Sequence, residues 1–124
     1  RWEEIKHHTV QGGSNIIKLR GRSSFQSPAY NAVKMIEAAM GGEPFTLPAG
    51  CYVNCDKLGY KNVMMAMPTT IDKTGVHFTA PQGTEEEMAS LAKSYEHLCK
   101  MRDEIVELGI VPAVADWTKE NPNL

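Results

Sequence analysis

The sequence lacks the segments that would place it in a membrane or a secretory pathway. No apolar run approaches the roughly 20 residues needed to cross a bilayer. The first residues do not follow the basic-then-apolar order of a signal peptide either. We therefore expect no membrane partner and a cytoplasmic protein.

The standard catalytic motifs are missing too. There is no glycine-rich dinucleotide loop, no phosphate-binding loop, no set of metal ligands and no serine, histidine and acid arrangement typical of a hydrolase. By itself the chain does not look like a complete enzyme. We expect no catalytic residue and no metal site within it.

Cysteine is scarce, with three residues in all. In an extended strand Cys51 and Cys55 would lie roughly 13 Å apart, too far for a disulfide. No other Cys or His lies at a spacing that would complete a metal site with them. We expect Cys51, Cys55 and Cys99 to be reduced and to belong to the core.

A large excess of charge is absent as well. The formal net charge of −2 and an isoelectric point of about 6.1 exclude binding to nucleic acid through bulk charge. The 124 residues suffice for one globular domain with its own core. Any anion site must therefore be local.

A helix is predicted at the start of the chain. Apolar residues recur at three- and four-residue intervals from Trp2 to Leu19. The adjacent Gly12 and Gly13 either break this helix or let another backbone approach closely, and the sequence leaves both open. Gly21 stops the helical pattern.

A second helix is expected to begin at Ser27, a good N-cap, with Pro28 in its first turn. It should end at Met40, before two glycines. Its apolar face is rich in small side chains: Ala29, Ala32, Val33, Ile36, Ala39 and Met40. Such a face is either buried between other elements or packed against a second copy of the chain.

The middle of the chain carries strand patterns. Cys51–Cys55 alternates as a strand does, and residues 63–67 form an apolar run that predicts a central strand covered on both faces. The Asp-Lys-Thr-Gly sequence of residues 72–75 predicts a hairpin between strands 69–71 and 76–78. Because the connections are short, we expect an antiparallel meander.

A long helix follows the strands. Thr84 and Glu87 form a capping box, and helical spacing continues to Gly109. The apolar stripe should lie on the sheet, while a charged face stays solvated: Glu85, Glu86, Lys93, Lys100, Arg102 and Glu104. Residues 110–124 should form an extended strap anchored by Trp117. The predicted fold class is α+β: an antiparallel meander packed against a long C-terminal helix, preceded by a helical pair.

Polar side chains concentrate in one stretch. Residues 18–30 contain Arg20, Arg22, Ser23, Ser24 and Ser27, next to the start of the second helix. The free amide groups and positive dipole end of a helix start attract anions and polar ligands. The other interpretation is a capped helix with solvated arginines, and the residue types leave both open.

Three segments, by their order and spacing, resemble the C-terminal half of the lactate/malate dehydrogenase family. They are Gly-Gly-Ser-Asn-Ile-Ile-Lys-Leu-Arg-Gly-Arg-Ser-Ser-Phe-Gln-Ser-Pro-Ala-Tyr at residues 12–30, Ala-Met-Pro at 66–68 before the hairpin, and the long capped helix. Together with Ala115-Asp-Trp117 and Asn121-Pro-Asn-Leu124, the Gly-Arg-Ser-Ser-Phe-Gln-Ser-Pro-Ala segment is similar to bacterial, lactate-dehydrogenase-like malate dehydrogenases.

The resemblance implies a parent enzyme with two domains. An N-terminal Rossmann domain would bind NAD, and a C-terminal α+β domain would complete the pocket for a dicarboxylate substrate. Such enzymes are homo-oligomers that interconvert malate and oxaloacetate by hydride transfer, a reaction of the tricarboxylic acid cycle. Because the sequence begins at Arg1 without an initiator Met, we expect residues 1–124 to be an N-terminally truncated C-terminal domain, inactive alone.

The resemblance assigns roles to two residues only. Ser23 falls where the family places a Ser or Thr hydroxyl beside the substrate, and Ser27 falls where a small side chain borders the nicotinamide. The family's proton-transferring His, the Asp that orients it and its carboxylate-binding arginines all precede the matched segment. Arg20 and Arg22 are therefore expected to be structural or solvated. No catalytic role falls to any of the chain's histidines: His7, His8, His77 and His97.

Two other functions stay open. One is a stand-alone module that binds an anionic metabolite with Arg22 and the start of the Ser27 helix. The other is a dimerisation module that uses the alanine-rich second helix. No residue of the chain decides between malate and lactate, so the substrate rests on the resemblance alone.

Overall fold

Helices flank four short strands in residues 1–122, the part of the chain that the computed structural model describes. In chain order the elements are α1 Trp2–Arg20, α2 Gln26–Ala39, β1 Ala49–Cys55, β2 Tyr60–Met67, β3 Thr69–Asp72, β4 Gly75–Phe78, α3 Glu85–Glu107, a 3₁₀ turn Val114–Asp116 and α4 Trp117–Glu120. This arrangement confirms the predicted α+β class, with a helical pair first and a long helix after the strands.

The main core lies between α3 and the β1–β2 pair. These strands are antiparallel, and a tight turn at residues 56–59 joins them. Their inward side chains are buried: Cys51, Val53, Tyr60, Val63, Met65 and Met67. From α3, Leu91, Tyr95 and Leu98 pack against this cluster, so the prediction that the helix's apolar stripe lies on the sheet is confirmed.

The prediction that residues 63–67 are covered on both faces is wrong. Burial alternates along β2, with Met65 only 6% exposed and its neighbour Met64 60% exposed. The reason is that β2 belongs to a two-stranded sheet and α3 packs against the face that carries Val63, Met65 and Met67, which leaves Met64 on the other face largely exposed. Methionine on both faces gives the sequence a continuous apolar run, which hides the period of two.

The antiparallel strands form two small sheets, β1–β2 and β3–β4, instead of one continuous meander. Pro68 separates β2 from β3, and proline cannot donate to a ladder. The predicted hairpin is confirmed, with Asp72 opposite Gly75 at its tip. An isolated bridge between Phe45 and Ile71 extends this sheet.

Helix α1 runs unbroken through its two glycines. A Cβ placed on Gly12 or Gly13 would meet nothing within 4 Å, so neither a break nor a close backbone approach explains them in residues 1–122. Gly21, with φ of 70°, ends the helix as predicted. None of the helices in this part of the chain is long and apolar enough to cross a membrane.

Helix α2 begins at Gln26, and its N-cap is Phe25, two residues before the predicted N-cap. The assignment of Ser27 as the N-cap is therefore wrong: Ser27 is the second helical residue, and no side chain caps this helix start. Pro28 still lies in the first turn, where its missing N–H costs nothing. The chain tolerates the uncapped start because it is exposed to water.

The apolar face predicted for α2 is uncovered in residues 1–122. Val33, Ile36 and Met40 are 61%, 60% and 83% exposed. Instead, Met35 and Ala38 bury the opposite side of the helix against Phe45 and Ala49. This second, smaller cluster attaches α2 to the β3 side of the molecule.

Helix α3 follows its sequence signals closely. Both hydrogen bonds of the capping box join Thr84 and Glu87, and Gly109 adopts a positive φ of 68° just beyond the helix. One member of its expected solvated face differs, because Arg102 is half-buried and donates to the backbone carbonyls of Lys61 and Asn62.

The tail is less extended than predicted, since residues 114–120 form short helical turns. Trp117 does anchor it: the ring lies 6.1 Å from that of Tyr52, and Nε1 donates to the Pro112 carbonyl at 2.9 Å. Residues 123–124 of the expected strap and of the Asn121-Pro-Asn-Leu124 motif lie outside the described residues. All three cysteines are free, as expected.

Candidate functional site

The candidate site is the turn of residues 21–25 that joins α1 to α2. Two side-chain contacts cross it. Arg20 Nη1 donates to Gln26 Oε1 at 3.2 Å, and the Arg22 guanidinium lies 5.0 Å from the centre of the Phe25 ring. The first contact links the ends of the two helices, and the second joins the residues on either side of Ser23 and Ser24.

The hydroxyls of Ser23 and Ser27 are unused by the rest of residues 1–122. Both residues are exposed, and neither hydroxyl has a hydrogen-bond partner in that part of the chain. The amide groups of Gln26 and Ser27 likewise donate to no acceptor there. The start of α2 therefore offers two hydroxyls and two amide N–H groups for bonds to a ligand.

The electrostatics of this turn favour an anion. No acidic residue lies in the first turn of α2, so nothing offsets the positive end of its dipole. Arg20 and Arg22 add two exposed cations beside it. Both arginines also have side-chain partners, Gln26 for Arg20 and Phe25 for Arg22.

Ser27 lines an open hollow of about 280 Å³ together with Gln26, Tyr30 and Asn31. A second hollow of about 320 Å³ shares Tyr30 and Asn31 and extends past Lys34 to the loop of residues 43–47. The Lys34 amine is 2.8 Å from Glu37 Oε2, and this hydrogen bond raises the pKa of the lysine. Ser23 is not part of either lining, so the structure does not join Ser23 and Ser27 in one pocket.

The hairpin tip holds a hydroxyl, an imidazole and a carboxylate that sequence reasoning did not bring together. Asp72 Oδ1 accepts from the Thr74 amide at 2.7 Å and from its hydroxyl at 2.5 Å, and the same hydroxyl is 2.8 Å from His77 Nε2. These bonds from Thr74 lower the pKa of Asp72. The hydroxyl lies between acid and imidazole, whereas a triad needs the imidazole in the middle, so this cluster stabilises the turn. The Asp-x-Thr sequence was its available signal.

A further concavity of about 240 Å³ lies between β2, α3 and α4 and was also missed. Its lining is largely apolar and includes Met64, Met101, Ile105 and Trp117. Arg102 borders it, with Asp103 Oδ1 2.8 Å from its guanidinium. Only the helical spacing of Met101 and Ile105 could have indicated it, because the other walls come from distant segments.

No three His, Cys, Asp or Glu side chains lie close enough to hold a metal ion within residues 1–122. His7 and His8 have rings 6.0 Å apart on exposed turns of α1. The site residues of this part of the chain are thus hydroxyls, amides and guanidinium groups, which bind anions and polar groups.

Comparison with known proteins agrees with this architecture. The chain is 35% identical over 98 residues to a malate dehydrogenase of Geobacillus kaustophilus, covering 77% of this chain and 31% of that relative. It is 39% identical over 77 residues to a malate dehydrogenase of Pelagibacter ubique, covering 61% of this chain and 24% of the relative. The chain thus spans less than a third of the length of these curated relatives.

A solved structure is also similar. Malate dehydrogenase from Salinibacter ruber matches 86% of this chain and 35% of its own, with 28% sequence identity and a TM-score of 0.74. The family model for the lactate/malate dehydrogenase alpha/beta C-terminal domain matches residues 1–108. The chain therefore belongs to the lactate/malate dehydrogenase family and carries its alpha/beta C-terminal domain.

Proposed function

We propose that this chain is the substrate-side domain of an NAD-dependent malate dehydrogenase, a cytoplasmic enzyme that interconverts malate and oxaloacetate by hydride transfer. The observation that carries the proposal is the pair of exposed, unbonded hydroxyls, Ser23 and Ser27, on a cationic turn. The names of the relatives support the choice of malate.

In this proposal the two serines act on different partners. The Ser23 hydroxyl donates a hydrogen bond to the dicarboxylate, and Ser27 borders the nicotinamide. The small side chain of Ser27 beside an open hollow fits the edge of a flat ring, while the preceding domain holds the rest of the dinucleotide. When bound, NAD exchanges the hydride with the substrate. The positive end of the α2 dipole attracts the anionic substrate.

We also propose that the chain is inactive alone and that its parent is a homo-oligomer. Large apolar side chains stay exposed on both α1 and α2, among them Trp2 at 66%, Val33 at 61% and Ile36 at 60%. A surface of this kind usually contacts another protein. We propose that the NAD-binding domain and a second subunit cover these exposed side chains.

A chimeric enzyme tests the proposed activity. The chain replaces the matching C-terminal part of the Geobacillus kaustophilus malate dehydrogenase, and oxidation of NADH is followed with oxaloacetate. We expect turnover, and Ser23→Ala should lower kcat/KM roughly tenfold because a hydrogen bond to a charged substrate is lost. Ser14→Ala, an exposed serine of α1, is the matched control and should leave the rate unchanged.

Two results would contradict this proposal. One is a chimera that folds and binds NADH yet turns over neither oxaloacetate nor pyruvate. The other is malate-dependent NADH formation by the 124-residue chain alone. Saturable binding of malate to the chain alone, lost in the Arg22→Ala, Ser23→Ala variant, would instead favour the stand-alone binding module.

The uncovered face of α2 favours self-association as a second function. Sedimentation of the chain should show a concentration-dependent dimer, and Ile36→Arg should abolish it by placing a charge on that face. Lys34→Arg on the same helix keeps the charge and serves as control. A monomer at every concentration would remove α2 as the dimer contact.

A further inference from the structure

We propose that Arg22 and Phe25 are positioning residues, which hold the turn between them so that the Ser23 hydroxyl stays where the substrate meets it. This inference rests on the proposed function, since it needs Ser23 to contact the substrate. In this role neither Arg22 nor Phe25 touches the substrate, and both act through the position of the Ser23 hydroxyl.

The first reason is that the backbone of this turn has little support of its own. The Gly21 amide bonds back to Ile17 at 2.8 Å, and the Phe25 carbonyl accepts from Ala29 at 3.0 Å. Between them, residues 22–24 make no backbone hydrogen bond within the described part of the chain. The contacts available to restrict the conformations of this segment are therefore those of its side chains.

The second reason is the geometry of those contacts. The Arg22 guanidinium lies 5.0 Å from the centre of the Phe25 ring, within the range of a cation–π contact. Its members are three residues apart, so the contact closes a ring around Ser23 and Ser24. The bond between Arg20 and Gln26 lies just outside it and fixes the ends of the same turn.

The third reason is that, in the described part of the chain, Arg22 has no polar partner that competes with the Phe25 ring. It has no ion pair or hydrogen bond within residues 1–122, whereas Arg102 binds two carbonyls and a carboxylate. Phe25 is 53% exposed, so it contributes little to a core. The pair therefore acts on the turn and hardly on the stability of the domain.

Kinetics of the chimeric enzyme test the inference. Arg22→Gln and Phe25→Leu should each raise KM for oxaloacetate roughly two- to fivefold, the size of an exposed cation–π contact, with a smaller change in kcat. Arg22→Lys should recover part of the loss, because an ammonium also binds an aromatic face. Lys18→Gln, which removes one cation from α1, should change neither constant.

The Arg22→Gln substitution made in the Ser23→Ala chimera separates positioning of Ser23 from a direct charge effect of Arg22 on the substrate. If Arg22 acts through Ser23, then Arg22→Gln has no further effect on KM once Ser23 is alanine. An equal rise of KM in both backgrounds would overturn the inference while leaving the proposed function intact. If Ser23→Ala itself leaves kcat/KM unchanged, the proposed contact between Ser23 and the substrate is contradicted instead.

Nuclear magnetic resonance of the 124-residue chain tests the same contact without activity. Arg22→Gln and Phe25→Leu should lower the backbone order parameters of Ser23 and Ser24 toward the flexible range, below about 0.6. Lys18→Gln should leave them unchanged. Unchanged order parameters in both of the first two variants would overturn the inference, whatever the chimera does.

Discussion

The α3 and β1–β2 body and the α1–α2 pair differ in how they are held. The body has a core of six buried residues, supported by α3 and by the stacked rings of Tyr60 and Tyr95 at 4.2 Å. Helix α1 has no buried residue at all, and α2 buries only Ala38. The body can fold through its own contacts, whereas the pair leaves most of its large apolar side chains exposed.

This difference places the stability of the domain and the proposed ligand binding in separate regions. The residues proposed to bind substrate and cofactor lie where α1 and α2 meet, in the region with few buried side chains. Within residues 1–122, no hydrogen bond, ion pair or ring contact joins the turn of residues 21–25 to the α3 and β1–β2 body. Substitutions in the body should therefore change the free energy of unfolding, and substitutions in the turn should change ligand binding.

Replacing one methionine in each region should give the largest difference in the free energy of unfolding. Met67 is 1% exposed in β2, and Met40 is 83% exposed just after α2. Met67→Ala should lower the free energy of unfolding by about 3 kcal/mol through lost burial and a cavity. Met40→Ala should change it by less than about 0.5 kcal/mol. Urea denaturation measures both, and equal losses would remove the distinction between the regions.

The glycines of α1 test whether the pair unfolds separately. Gly12→Ala with Gly13→Ala should stabilise the helix by about 2 kcal/mol, because both positions have open space around them. Hydrogen exchange in α1 should slow, while the midpoint of global unfolding stays constant. A rise of that midpoint by the full amount would mean that the pair and the body unfold as one unit.

Asn62 provides a smaller test within the body. Its φ of 52° is left-handed, and its side chain accepts from the Tyr52 hydroxyl at 2.6 Å. Asn62→Ala and Asn62→Gly both remove that acceptor, but only alanine pays for the left-handed conformation. Asn62→Ala should therefore be less stable than Asn62→Gly by about 1 kcal/mol in thermal unfolding. The reverse order would contradict the left-handed geometry.

The capping box of α3 should give an effect of about 1 kcal/mol and a pH dependence. Thr84→Ala removes a side-chain cap. Bonds from the Thr84 amide and hydroxyl lower the pKa of Glu87 below its ordinary 4.5. The stability that this carboxylate contributes is therefore present above 4.5 and is lost as pH falls through the lowered pKa.

The difference between Thr84→Ala and the unaltered chain should thus shrink in acid. Urea denaturation at several pH values measures it, and Glu86→Gln, outside the capping box, is the control. A difference that grows below pH 4.5 would contradict the sign of the Glu87 shift.

Local signals predicted the start of α3 and the β3–β4 hairpin well. The Thr84 and Glu87 capping box and the Asp72–Gly75 hairpin each depend on residues close in sequence, and both form as expected. The one-sided burial of β2 was not predictable, because Met64 and Met65 look alike in sequence and differ only through the position of α3.

The site was predicted in part. The cationic turn and its free hydroxyls follow from the local sequence, but the placement of Ser27 at the N-cap did not hold, since Phe25 takes that position. The Arg22–Phe25 contact, the Thr74 cluster and the concavity at Trp117 depend on side-chain conformation. Periodicity and residue type carry no information about it.

Hydrogen exchange along the chain tests the central claim most directly, because it reads both regions in one measurement. On its own, the chain should protect β1, β2 and α3 and exchange quickly in α1 and α2. In the chimera with the NAD-binding part of the Geobacillus kaustophilus enzyme, protection should appear in α1 and α2 and change little in the body. Equal protection of all helices in the isolated chain would contradict the claim that the α1–α2 pair is the surface that another domain covers.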